Sequence, residues 1–329
     1  MVFLSRLLDW KISEINGGLL VLKKSPLLVV VLVLSLLISV PVFAGDYVAK
    51  LNIPISSYFA RVQANPMYQL MNRASVAFGE KEIEGTEFAG LPVLSRMSVA
   101  HGGFKGADDF FELPAGDLTL DNIKSMYRYN NSVQALKLNG KQIIEWLEKS
   151  GGNFHQIDPN ETEDQMLLDY GFDGHHFDIF WPITYQYDVT QPVGQRVVMA
   201  QYEGKDLTEE MEFIVMSDNY RAGGGAAFPH AVPENVVLKW DHDFDVVMIA
   251  YLNEVDGIVP ELVHNWSIKP IETKGNILVR TGPEWGMPVM DYLEVAGELG
   301  VEPVDHIEYY GTDGIWGVFQ IDLSQIVTP

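Results

Sequence analysis

Apolar and polar positions are distributed differently in three parts of the chain. Pro26 to Val42 is a run with no charged residue, preceded by Lys23-Lys24 and followed by Val42-Phe43-Ala44-Gly45. A basic flank, an apolar stretch and a small-residue site have the layout of a secretory signal, with cleavage expected after Ala44. The segment before the run is long for a signal. Initiation near Leu22, or retention of residues 26–42 as an inner-membrane anchor, are the alternatives, and the run is short of the roughly 20 residues that usually span a bilayer.

Residues 45–90 show helical spacing. Ile55 to Val62 and Met67 to Phe78 carry apolar residues three and four apart, punctuated by Pro54 and Pro66. This stretch reads as a helical linker that docks on the domain after it. Residues 91–329 read as that main domain, in which the pattern changes to short strands and helices in mixed order. Pro92-Val93-Leu94 predicts a strand, His101 to Gly106 a loop, Leu113 to Asp117 a turn, and Asp121 to Met126 a helix. Val133 to Leu138 alternates as a strand does. Asn139-Gly140 then turns the chain into a helix, Lys141 to Lys149, with Ile143, Ile144 and Leu147 on its inner face and Gly151-Gly152 at its end. Ile183 to Thr190 is the clearest strand, apolar or aromatic at odd positions and polar at even ones. Phe213 to Met216 and Trp316 to Leu323 predict further strands, and Asp245 to Asn253 a helix. Strands and helices without steady βα alternation indicate an α+β fold rather than a doubly wound sheet.

Composition narrows the function classes. At 329 residues and 47% hydrophobic the chain can bury a core without staples. It has no cysteine, which excludes disulfides, thiol catalysis and cysteine-ligated metals. The net charge of −23 disfavours nucleic acid polymers, because polyanion affinity rests on Lys and Arg neutralising phosphates. A small nucleotide in a locally basic pocket remains open.

The chemistry-bearing residues gather at two places. Ser217-Asp218-Asn219-Tyr220-Arg221-Ala222-Gly223-Gly224-Gly225 follows the strand Phe213–Met216 and delivers an aromatic and an arginine at a strand end with three glycines behind. That suits a flat ring stacked on Tyr220, since glycine lets backbone approach closely. Tyr127-Arg128-Tyr129-Asn130-Asn131 lies between a helix and a strand and offers a second aromatic, Tyr129, and an amide, Asn131, suited to a base edge. Gly-x-Ser-x-Gly, Walker and dinucleotide-binding patterns are missing from the sequence. Gly174-His175-His176-Phe177-Asp178 and Asp241-His242-Asp243-Phe244-Asp245 are the densest His/Asp patches, but neither supplies a two-metal ligand set. The second reads as a solvated acidic loop, and the His175-His176 pair as surface or as support behind a site.

These residues carry a resemblance. Leu91-Pro92-Val93-Leu94-Ser95, Pro114-Ala115-Gly116-Asp117, Glu145-Trp146-Leu147-Glu148, the stretch Phe154 to Asn160, Tyr185 to Pro192, Asn219-Tyr220-Arg221-Ala222 and Phe319 to Ser324 run in the order found in one family. The chain resembles the C-terminal domain of the 5'-nucleotidase family, on its periplasmic branch of 2',3'-cyclic-nucleotide phosphodiesterase/3'-nucleotidases. The resemblance implies a nucleoside- or nucleotide-binding domain in which Tyr129 and Tyr220 stack on the base and Asn131 and the Gly152 backbone meet its edge. It implies that Lys105 and Arg221 serve the ligand too, with Lys105 the one obvious cation in a phosphate-side loop shorter than in relatives. Ala226 stands where the family offers a polar group near the ribose. The family places two divalent metals in a separate metallophosphoesterase domain, none of whose ligand motifs occurs here. The expectation is therefore an exported binding domain that holds no cofactor of its own. It would not be catalytic alone: it would work with a separately encoded metallophosphoesterase domain, act as a binder only, or be a truncated remnant. The alternative is a self-sufficient or partner-completed hydrolase of 3'-nucleotides or 2',3'-cyclic nucleotides. The location implied is periplasmic or secreted, with membrane contact only if the N-terminal segment is uncleaved.

Overall fold

The computed structural model describes residues 47–255, 261–283 and 286–329. The expected signal or anchor and its cleavage site lie outside the described residues. Among the described residues no helix is long and apolar enough to cross a membrane.

A mixed five-stranded sheet organises the core, in the order Val236–Asp243, Ser132–Asn139, Glu212–Asp218, Val93–Ser98, Asp178–Trp181. Glu212–Asp218 is central, antiparallel to Ser132–Asn139 and parallel to Val93–Ser98. Asp178–Trp181 closes the edge antiparallel to Val93–Ser98. The register sets which segments gather at each end of the sheet: Asp218 lies opposite Val133, and Ser98 lies opposite Asp178. With Asp243 opposite Ser132 as well, three strands end and two begin at one end of the sheet. The segments carrying residues 99–110, 127–131, 173–177 and 219–227 all emerge there.

The long helix Pro66–Glu82 packs on this sheet. Asn65 caps it by accepting from the backbone N–H of Met67 (3.1 Å) and Tyr68 (3.3 Å), and Pro66 opens it where a missing N–H is harmless. Gly79 permits the close approach, since a Cβ there would stand 2.6 Å from Met216 Sδ and 2.8 Å from Val93 Cγ1. The helix Gly140–Ser150 starts with a reciprocal cap between Asn139 and Gln142 and buries Ile143, Trp146 and Leu147 completely. Two four-stranded sheets flank the core, one built around Val197–Tyr202 and Thr184–Tyr187, the other around Trp316–Ile321 and Ile277–Pro283.

The α+β expectation and most of the predicted elements stand. Three local expectations do not. Ile55 to Val62 is not a helix: Ile55–Ser56 pairs with Glu112–Leu113, and the Ser57 N–H donates to the Phe111 carbonyl at 2.9 Å. The apolar residues at helical spacing are buried through turns, because pairing with a distant segment satisfies the backbone instead. Tyr47–Leu51, inside the stretch read as helical, is likewise a strand, paired with Gly116–Thr119. Asp241 to Asp243 end the strand Val236–Asp243, and Phe244–Glu254 continues as a helix, so the acidic patch is not a loop, although those three residues are exposed.

Candidate functional site

At the collecting end of the sheet lies a cleft of ≈ 390 Å³. It is lined by Tyr129, Asn131, Tyr220, Arg221 and Lys105, and also by Arg96, Ser98, Phe104, Tyr127, His175 and Asp218. Five of the six residues singled out from the sequence thus meet in one place. Gly152 is not part of that lining. It sits in the 3-10 turn Gly151–Asn153 after the helix Gly140–Ser150, facing the Phe172 ring.

Tyr220 stands on a short helix, Asn219–Ala222, that Asp218 caps by accepting from the Arg221 N–H at 2.9 Å. The glycine triplet serves the tyrosine itself. A Cβ on Gly225 would lie 2.6 Å from the Tyr220 ring, and Gly224 adopts φ 97°. The ring is consequently held from behind and remains 48% exposed toward the cleft. Ala226, two residues on from the triplet's centre, has φ 59° and lies outside the cleft lining. Tyr129 packs edge-on against Tyr127, with ring centroids 5.6 Å apart.

Asn131 is oriented by its neighbours. Its amide nitrogen donates to the Tyr127 hydroxyl (3.1 Å) and to Asp218 Oδ1 (3.3 Å). An ionised carboxylate only accepts, so it fixes the NH₂ end toward itself. The Asn131 carbonyl oxygen has no partner among the described residues. The cleft is therefore offered an acceptor at that position.

Arg221 does not reach into the cleft with its guanidinium. That group is 1% exposed and donates to the carbonyls of Gly225 (2.9 Å) and His175 (2.8 Å) and to Asp178 Oδ1 (3.0 Å), with Nε 3.0 Å from Asp178 Oδ2. Arg96, equally buried, donates from Nε to Ser217 Oγ at 3.0 Å and pairs with Asp218, while its Nη1 lies 3.5 Å from Asp178 Oδ1. Two arginines and two aspartates form a buried, balanced floor. Burial would raise the Asp218 carboxyl, but the Arg96 charge and the Arg221 amide and charge hold it below the ordinary range.

The loop that carries Lys105 is pinned rather than free. The Lys105 N–H donates to Asp109 Oδ2 at 3.0 Å, and Asp109 pairs with Arg128 at 2.5 Å. Arg128 also meets His101 Nδ1 at 2.7 Å, so burial and that neighbouring charge push His101 down to about 4. The Lys105 ammonium has no ion-pair partner among the described residues and faces the cleft unspent. Phe104, 51% exposed, packs on His175 with centroids 4.9 Å apart and supplies a third ring at the lip.

Arg96 and Phe104 stand outside the residues picked out from the sequence, and Tyr127 and Asp178 entered only as members of their motifs. Arg96 left a signal, as a charge inside the buried strand Val93–Ser98; Phe104 lies within the loop picked out for Lys105. A binuclear phosphoesterase centre needs several Asp and His ligands around two ions. Among the described residues one group of three, Asp173, His175 and His176, brings candidate ligand atoms within 4.8 Å of one another, which does not suffice for two ions. Burial, then the neighbouring His175 and Arg221, push His176 down to about 4, and burial lowers His175 as well.

Known proteins resemble this chain in sequence and in fold. Residues 57–233, more than half of the chain, match the family described as "5'-nucleotidase, C-terminal domain". The trifunctional nucleotide phosphoesterase protein YfkN of Bacillus subtilis is 37% identical over 68% of this chain and 16% of its own length. The 2',3'-cyclic-nucleotide 2'-phosphodiesterase/3'-nucleotidase of Haemophilus influenzae is 32% identical over 86% of this chain and 45% of its own length. The chain thus spans less than half the length of these curated relatives. A 5'-nucleotidase precursor from Thermus thermophilus shares the fold, with a TM-score of 0.52 and 17% identity over 74% of this chain and 42% of that one. A 5'-nucleotidase from Staphylococcus aureus does so with a TM-score of 0.53 and 17% identity over 68% and 41%.

Proposed function

The chain belongs to the 5'-nucleotidase C-terminal-domain family, and we propose that its cleft holds a nucleoside or nucleotide, the base lying between Tyr129 and Tyr220. One observation carries this reading: both tyrosines, the Asn131 acceptor and the unpaired Lys105 line a single cleft of ≈ 390 Å³, within the size range of small-ligand sites. Stacking on two rings binds any base through its π face. Asn131 accepts from an exocyclic amine at the base edge, and Lys105 meets the phosphate. Arg221 acts from beneath, fixing the segment that carries Tyr220. Gly152 would contribute only through backbone, and from outside the cleft lining.

The chain contributes ligand placement to nucleotide catabolism and not the hydrolytic step, which a metallophosphoesterase domain supplies by metal-activated water. Export follows the signal layout, and the mature chain is expected to begin at Gly45; the intact mass of the protein recovered from the cell envelope checks this. Hydrolysis of 2',3'-cyclic AMP by the purified chain with added Mn²⁺, abolished by EDTA, would sink the non-catalytic reading.

Adenosine binding, followed by calorimetry, tests the site. Tyr220→Ala is expected to weaken binding by about 1–3 kcal/mol, the worth of one base-stacking contact, while thermal stability stays close to that of the wild type because the ring is half-exposed. Unchanged affinity in that variant would remove the assignment.

A further inference from the structure

Beside the base cleft, the turn Asp173-Gly174-His175-His176 presents a second kind of chemistry. The carboxylate of Asp173 and one nitrogen from each of His175 and His176 lie within 4.8 Å of one another. The ligand atoms around a tetrahedral zinc stand roughly 3.4 Å apart, given zinc–nitrogen and zinc–oxygen bonds of about 2.1 Å. Small rotations of side chains on one turn close that difference.

These groups are also unclaimed by the protein. No hydrogen bond or ion pair among the described residues engages the Asp173 carboxylate or any ring nitrogen of His175 or His176. His175 Nδ1 is buried and still without a partner. Other histidines nearby are differently placed: both nitrogens of His101 are engaged, by Ser125 O and by Arg128, each at 2.7 Å. Asp178, three residues beyond His175, is unavailable as a ligand because Arg221 and Arg96 hold it. Buried polar atoms are normally satisfied, and an imidazole pair with a carboxylate, left bare on one turn, is a donor set suited to zinc and similar first-row cations.

We propose that Asp173, His175 and His176 bind a single transition-metal cation of the Zn²⁺ type. The site lies on the partition between two cavities. His175 lines the base cleft, and Asp173 lines a neighbouring pocket of ≈ 180 Å³ with Arg61, Arg280 and Trp316. Phe104 borders both. A divalent ion with one carboxylate ligand keeps a net positive charge, and three protein ligands leave coordination positions open at the lip of the cleft. The site is separate from the two-ion chemistry of a phosphoesterase domain and does not depend on base stacking.

Untagged, EDTA-stripped full-length protein titrated with ZnCl₂ in a non-chelating buffer should show one high-affinity site per chain by calorimetry. Cu²⁺ in its place should give an electron paramagnetic resonance spectrum with superhyperfine splitting from two nitrogens. His175→Ala and His176→Ala should each abolish that signal, and Asp173→Asn should weaken Zn²⁺ binding about tenfold or more, with unchanged circular dichroism. If a histidine variant fails to fold, the copper spectrum of the wild type and the Asp173→Asn titration decide. Absence of stoichiometric Zn²⁺ binding at millimolar metal overturns the proposal. So does a site that persists unchanged in Asp173→Asn and in the double histidine variant.

Discussion

Asp178→Ala should destabilise the protein by about 3–5 kcal/mol, the range found when one partner is removed from a buried ion network. Asp178 has no solvent exposure and touches three elements at once. It accepts from Trp146 Nε1 at 2.8 Å, so it ties down the helix Gly140–Ser150. It accepts from Arg221 Nη2 at 3.0 Å and ion-pairs with its Nε at 3.0 Å, which fixes the segment bearing Tyr220, and it faces Arg96 at 3.5 Å. Truncation leaves two arginines, each 1% exposed, with Asp218 as the remaining carboxylate, and strands an indole N–H. Urea unfolding followed by fluorescence and by circular dichroism measures the loss. Asp178→Asn separates the contributions: it keeps the shape and one acceptor but removes the charge and turns an NH₂ toward an arginine or the indole. It should therefore be nearly as harmful as alanine. If Asp178→Asn is neutral, the charge balance of the cleft floor is not what holds these strands together. Because the floor positions Tyr220 and Asn131, the same variants should lose nucleoside affinity even where they remain folded.

That network also marks where the sequence stops being informative. The strand Glu212–Asp218 is readable from its apolar run, and the helix Gly140–Ser150 from Asn139 and the periodicity of Ile143 and Leu147, because both signals are local. Tyr129 and Tyr220 are readable as candidates for the same reason: each follows or precedes a recognisable element. Whether they meet depends on register. Register pairs Asp218 with Val133 and Ser98 with Asp178 across separations no local pattern encodes. The direction of Arg221 is likewise decided by a carboxylate 43 residues away, so a side chain that looks like a ligand contact in the motif turns under the floor. Ile55 to Val62 fails in the opposite sense. Its helical spacing is real, but pairing with Glu112–Leu113 determines the backbone. Tertiary pairing overrides a local preference worth only tenths of a kcal/mol per residue.

Glu302→Gln should stabilise the protein by up to about 3 kcal/mol at pH 8 and by little or nothing near pH 4, the size following from a shift of roughly 2.5 pH units. Glu302 is 4% exposed and has no cationic partner among the described residues. Burial pushes its carboxyl up from 4.5 to about 7, against the opposing pull of Tyr292, Gln63 and Asn65. Gln63 Nε2 donates to it at 3.3 Å, while Gln63 Oε1 and Glu302 Oε1 are buried without partners. One proton on the carboxyl supplies the donor this neighbourhood is short of. The sign follows from proton counting. Between pH 4.5 and 7 the folded chain holds a proton that the unfolded chain has released, so stability falls as pH rises through that window and levels off above it. Glutamine carries its donor at every pH and removes the slope. His101 and His176, held down to about 4, act in the other direction: the unfolded chain binds their protons first as pH falls below 6.5, and stability is lost on acidification. They titrate identically in both proteins, so the difference between the wild-type and Glu302→Gln curves isolates the carboxyl. A difference that is flat from pH 4.5 to 8 would mean that Glu302 ionises at its ordinary pH inside the fold, and that the cluster of Gln63, Asn65 and Tyr292 solvates the charge rather than excluding it.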